Sequence, residues 1–166
     1  MKFLHLADIH LGASPDLPNG LAEKRKKEIW NSFRNVIETC EREKIDLLLI
    51  VGDLFHRQPL LRELKEVSYL FGKLTKTQVV LVAGNHDYIK KDSYYRTFHW
   101  QKHVHMISAD EPQCIGLPEI STSVCGFSYH SREIRDRLDI SQLKKGRQKY
   151  KILLLHGGDE THVPFN

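Results

Sequence analysis

With 166 residues, 40% of them hydrophobic and 28% charged, the chain is long enough for one substantial buried core. It contains no internal repeat or low-complexity tract and no apolar run reaching the ~18 residues of a membrane helix. Lys plus Arg number 25 against 21 Asp plus Glu, and the resulting charge of +4 neither requires nor opposes a nucleic-acid partner. The cysteines at 40, 114 and 125 form no CxxC pair, which speaks against a disulfide framework or zinc knuckle and for reduced thiols. The start, MKFLHLADIHLG, lacks a secretory apolar region, so a cytoplasmic protein without membrane contact is expected.

Lys2–Ala7 reads as a short buried strand, followed by a Gly/Pro/Asn/Asp-rich loop to Gly20. From Leu21 to about Lys44, Ile29, Trp30, Phe33, Val36, Ile37 and Cys40 line one face of a helix. DLLLIVGD, 46 to 53, predicts a second buried strand, and Leu60, Leu61, Leu64, Val67, Leu70, Phe71 and Leu74 a second amphipathic helix. QVVLVAG, 78 to 84, predicts a third strand, completing a β-α-β-α-β order that favours a parallel sheet covered on both faces. Shorter strands are expected at 104–108, 113–117 and 122–129, then a charged, helix-compatible stretch around 131–148. YKILLLHGG, 150 to 158, repeats the pattern of a buried strand running into glycine and polar residues.

Four of the expected strands end on side chains that can hold a metal. Asp8 and His10 follow the first, Asp53 the second, Asn85 and His86 the third, and His156 the last. Carboxyl ends of parallel strands gather distant residues into one crevice, so these are expected to meet. Asp8 and His10 stand two apart, and on an extended chain they would project to the same side. A carboxylate with an imidazole suits manganese, iron or zinc better than calcium, and Asp53 has two oxygens with which to bridge two cations. The mixed N/O set suits two divalent ions roughly 3.5–4 Å apart, an arrangement that activates water and clamps a phosphoryl group.

The motifs DIH (8–10), GDLFH (52–56), GNHD (84–87) and LHG (155–157) resemble, in order, those of calcineurin-like metallophosphoesterases. GDLFHRQPLLRELKEV is similar to the SbcD/YhaO-like DNA-repair nuclease branch. The resemblance implies a layered α/β/β/α sandwich and two divalent metal ions, with manganese the favoured ion. Asp8, His10 and Asp53 would hold one metal, and Asp53, Asn85 and His156 the other. His86 would be the acid that serves the leaving sugar oxygen, and His56 would place the phosphate and His86. The family closes its site with a downstream GHxH motif that does not occur here, so residues 1–166 are expected to be a nuclease domain cut before that motif. DNA, an SbcC-like coiled-coil ATPase and a homodimer are the implied partners. A phosphoesterase for nucleotides or other small phosphoesters is the alternative within enzymes, and a non-catalytic scaffold for the ATPase is the alternative outside them.

Two further features invite blander explanations. The KRKK run at 24–27 is expected to be the solvated face of the first helix before it is a DNA contact. His99, His103 and His105 lack an acidic or thiol partner at clear spacing and are not expected to form a second metal site.

Overall fold

LLLIV at Leu47–Val51 has no polar side to turn to water, and the fold uses both of its faces. In the computed structural model, which describes residues 1–14, 18, 20–134 and 148–157, alternate residues of this strand enter two separate cores. Leu48 and Ile50 pack with the helices, whereas Leu47, Leu49 and Val51 pack against a second sheet.

The elements are β1 (Phe3–Leu6), α1 (Leu21–Arg42), β2 (Leu47–Val51), α2 (Leu61–Phe71), β3 (Gln78–Val82), α3 (Tyr94–Thr97), β4 (Val104–Met106), β5 (Gln113–Leu117), β6 (Thr122–Gly126) and β7 (Tyr150–Leu154). A single 3-10 turn, Pro118–Ile120, joins β5 to β6. Strands β1-β2-β3-β4 form a parallel sheet in that order. The second sheet is β5-β6-β7, with β5 antiparallel and β7 parallel to β6.

Helices α1 and α2 cover the outer face of the first sheet through Phe33, Ile37, Cys40, Leu64, Val67, Leu70 and Phe71. Phe33 and Phe71 meet edge to face at 6.1 Å between ring centres, and Arg34 donates to Glu66 at 2.9 Å across the helix pair. The described residues therefore build helix, sheet and sheet layers, three of the four layers expected of the α/β/β/α sandwich. The helix-compatible stretch around 131–148 lies mostly outside the described residues, and 131–134 are irregular.

Three expectations need correction. YKILLLHGG is not a buried strand like those of LLLIV and QVVLV, since most of its residues keep some exposure. It forms β7 of the second sheet, where Ile152 and Leu154 face the core between the sheets and Leu153 is exposed. Likewise β1 is an edge strand with alternating exposure, so its apolar run does not mean burial on both faces. The third concerns the thiols, since Cys114 and Cys125 stand directly opposite each other in the β5–β6 ladder and form a disulfide. Their pairing follows from strand register, which carries no CxxC signature. Cys40 is the free cysteine, buried on the inner face of α1.

KRKK lies on the exposed side of α1, where Arg25 pairs with Glu28 and Lys26 with Glu23, in agreement with a solvated helix face. His103 and His105 are spent on the Phe71 carbonyl and the Gln78 side chain, and no metal-holding cluster among the described residues includes His99, His103 or His105. Thiol titration of the unfolded, unreduced protein is expected to count one thiol per chain, that of Cys40. Three titrating thiols would refute the β5–β6 disulfide.

Candidate metal centre

The parallel pairing of β1 and β2 continues beyond the strands and sets the two loops that follow them side by side. Asp8 N–H donates to the Gly52 carbonyl at 3.3 Å, His10 N–H to Asp53 at 2.9 Å and Leu11 N–H to Leu54 at 2.8 Å. His56 N–H then returns to the Leu11 carbonyl at 3.1 Å. Asp8, His10 and Asp53 all adopt left-handed backbone, with φ of 52°, 52° and 51°. Non-glycine residues adopt such angles rarely and at a cost of order 1 kcal/mol or more, and they gather at functional sites. The extended-chain rationale for Asp8 and His10 is thus wrong, because both sit on a left-handed turn. Their ligand atoms nevertheless lie within 4.8 Å of one another and of Asp53.

Asp53 is at the middle of the site and only 2% exposed. Its Oδ1 accepts the His86 backbone N–H at 2.9 Å, while Oδ2 stands 3.8 Å from His10 Nε2 and 3.7 Å from His156 Nε2. Gly84 is required for this approach, because a Cβ there would collide with the Asp53 carboxylate. His156 arrives from the opposite sheet, past the end of β7. Its Nδ1 donates to the Val51 carbonyl at 3.2 Å, since a carbonyl can only accept. Gly52, at φ 77°, leaves room for that ring, which a side chain at 52 would strike.

With Nδ1 committed, the neutral His156 ring presents a bare Nε2 lone pair, 3.1 Å from the Asn85 Oδ1 acceptor. Two acceptors and a buried carboxylate oxygen facing one point are what a divalent cation takes. The backbone bond that fixes the tautomer is the usual outer support of a metal-binding histidine. The residues present therefore fit a metal centre, with Asp8, His10 and Asp53 able to hold one ion and Asp53, Asn85 and His156 a neighbouring one. Burial, opposed in part by Asp53, holds the His10 imidazole below its ordinary range, which favours the neutral ring a metal needs.

His86 and His56 form the wall beside this centre. Their rings stack at 5.2 Å, and His86 Nδ1 donates to the His56 carbonyl at 3.0 Å, leaving Nε2 as the ring position available to a substrate. His56 Nδ1 lies 3.4 Å from His10 Nδ1, and His10, His56 and His86 make a second cluster whose ligand atoms lie within 4.8 Å.

One organising residue had no assigned role in the sequence reading. Asp87, fully buried, accepts from Gly84 N–H at 2.8 Å, Phe55 N–H at 3.1 Å and the Tyr95 hydroxyl at 2.9 Å. It ties the GDLFH loop to the GNHD loop and both to α3. Burial pushes its carboxyl up to about 6, against the pull of those donors. The final letter of GNHD was in view, but only the fold reveals which donors it gathers. Tyr129 was also missed: its ring meets His156 edge-on at 5.5 Å, and burial and the Asp53 charge hold its hydroxyl above the ordinary tyrosine range.

A parallel sheet that brings carboxylates, an amide and imidazoles to its carboxyl edge, facing a second sheet, has the organisation of a metal-dependent phosphoesterase. The chain belongs to the calcineurin-like phosphoesterase family, which it matches over residues 1–165. It is similar to the uncharacterized metallophosphoesterase YhaO of Bacillus subtilis, with 28% identity over 99% of this chain and 43% of that protein. The DNA double-strand break repair protein Mre11 of Methanocaldococcus jannaschii is 30% identical over the whole chain and 46% of its own length. Mre11 of Aeropyrum pernix is 43% identical over 52% of the chain and 21% of its length. The chain thus spans less than half of these relatives.

Replacing Asp87 by Ala strands three donors that have no water to turn to. The expected loss, measured by urea unfolding, is about 3 kcal/mol or more, at roughly 1–3 kcal/mol for each unsatisfied buried group. A change below about 0.5 kcal/mol, the range of ordinary surface substitutions, would contradict the organising role of this carboxylate.

Proposed function

We propose that this chain forms the metal-holding part of a DNA phosphodiesterase, an SbcD-like exonuclease or endonuclease that uses two divalent ions, manganese foremost. The observation that carries the proposal is the buried Asp53 carboxylate between two imidazole nitrogens, with His86 and His56 stacked beside it. Phosphoester hydrolysis is the chemistry of the family, and the Mre11 relatives named for DNA double-strand break repair favour DNA over small phosphoesters.

Asp8, His10 and Asp53 would hold one ion and Asp53, Asn85 and His156 the other. When bound, the pair supplies Lewis-acid polarisation of the phosphoryl oxygens and a water made nucleophilic near neutral pH. Asp53 accepts the His86 N–H, so the carboxylate that would be shared by the two ions also fixes where the acid stands. His86 delivers a proton from Nε2 to the leaving sugar oxygen while Nδ1–H remains on the His56 carbonyl, which keeps the ring oriented. His56 positions His86 through that carbonyl and offers its own ring to the phosphate.

These 166 residues contain no GHxH motif, so the five ligands are proposed to be a partial shell that binds metal weakly alone. Activity on DNA, an SbcC-like coiled-coil ATPase as partner and a homodimer are proposed for the whole protein from likeness alone.

The test uses the full-length protein, with manganese content after gel filtration and turnover on DNA read together. Asp53→Ala is expected to lose both ions and all turnover. His86→Ala is expected to keep both ions while turnover falls about 10²–10⁴-fold, the usual contribution of a positioned acid. Equal metal loss in the two variants would make His86 a ligand and overturn the assignment of roles. Turnover of small phosphodiesters without cleavage of any DNA would overturn the nuclease reading.

A further inference from the structure

Tyr129 lies on the connection between β6 and β7, and its backbone joins both flanks of the GNHD loop. Its N–H donates to the Ala83 carbonyl at 3.1 Å, and its own carbonyl accepts the Ile89 N–H at 2.7 Å. The preceding Ser128, fully buried, donates to the Ile107 carbonyl and accepts the Ala83 N–H at 2.9 Å. Two consecutive residues are thus tied to the strand end that delivers Asn85 and His86. A residue held this firmly by its backbone has little freedom in where it sends its side chain.

That side chain goes to the metal centre. The Tyr129 ring stands edge-on to His156, with 5.5 Å between centres and an 80° interplanar angle. The hydroxyl approaches Gly157 so closely that a Cβ at that position would lie 3.0 Å from it. Among the described residues the phenol finds no hydrogen-bond partner, although Tyr129 is half-buried and its backbone groups are both satisfied. A buried-side phenol usually has such a partner.

A phosphodiester bound at two cations presents two anionic non-bridging oxygens. On one side His56 and His86 stand ready to meet them. On the His156 side the carboxylate of Asp53, the side-chain oxygen of Asn85 and the Nε2 lone pair of His156 are acceptors turned toward the cation positions. Tyr129 supplies a neutral O–H donor there, which can hold an anionic oxygen without competing for the metals. We propose that the Tyr129 hydroxyl is a substrate-binding group that donates a hydrogen bond to a non-bridging phosphate oxygen on the His156 side of the centre. The proposal rests on the two-metal phosphoesterase reading above and deepens it.

Tyr129→Phe removes the hydroxyl and keeps the ring against His156, so it separates binding from packing. In the full-length protein loaded with manganese, inorganic phosphate binding measured by calorimetry is expected to weaken about tenfold or more, as for the loss of a hydrogen bond to a charged group. Manganese stoichiometry, manganese affinity and melting temperature are expected to stay at wild-type values. Unchanged phosphate affinity would overturn the proposal. Loss of manganese together with phosphate would also overturn it, because the hydroxyl would then act through His156. The wild-type protein tests the underlying reading independently: if it binds phosphate through Tyr129 and hydrolyses no phosphodiester, the hydrolase reading fails and the Tyr129 contact stands.

Discussion

Two carboxylates, Asp53 and Asp87, are buried near each other at the sheet edge, and the arrangement of the site depends on how their charges are met. Asp53 is 2% exposed and Asp87 fully enclosed, and among the described residues neither is paired with a lysine or arginine. An ionised carboxylate withdrawn from water is costly unless opposing charge or several donors compensate for it. Asp87 receives three donors and is pushed up to about 6 by burial, so its charge is also reduced by protonation in mildly acidic solution. Asp53 receives one backbone N–H and is otherwise faced by imidazole nitrogens. Its remaining compensation falls to protonated histidines or to cations. A divalent metal satisfies the carboxylate, the Asn85 oxygen and the His156 lone pair together, which protonation of the rings cannot do.

The surrounding backbone is subordinate to that demand. Three residues of the site hold left-handed conformations, and Gly52 and Gly84 leave the space that the His156 ring and the Asp53 carboxylate occupy. These conformations persist because the loops are extensions of the β1–β2 ladder and because Asp87 ties the loops after β2 and β3 together. The second sheet contributes as much as the first. Its inner residues Leu117, Val124 and Leu154 pack on Leu49, Val80 and Val82, and this apolar contact sets the height at which His156 and Tyr129 meet the first sheet's edge.

Much of this was legible in the sequence for a physical reason. Buried parallel strands are continuously apolar, so the places where LLLIV and VVLV break into Gly-Asp and Gly-Asn-His-Asp marked the sheet edge and named the side chains delivered there. The same rule misled for β7, since an edge strand of a small sheet can show an identical apolar run; Leu153 spends it on an exposed face. Asp8 and His10 were expected together for a reason that fails, because periodicity reports strands and is silent on left-handed turns. The disulfide and the roles of Asp87 and Tyr129 depend on contacts far apart in sequence. Cys114 meets Cys125 by strand register, and Asp87 gathers a donor 32 residues upstream.

The central claim is that Asp53 is the shared bridge between two cations, and anomalous diffraction at the manganese edge from crystals of the full-length protein tests it most directly. Two peaks are expected, one bounded by Asp8, His10 and Asp53 and the other by Asp53, Asn85 and His156, with His86 outside coordination distance of both. A single peak among His10, His56 and His86, the competing cluster of the same site, would contradict the claim and turn the proposed acid into a ligand.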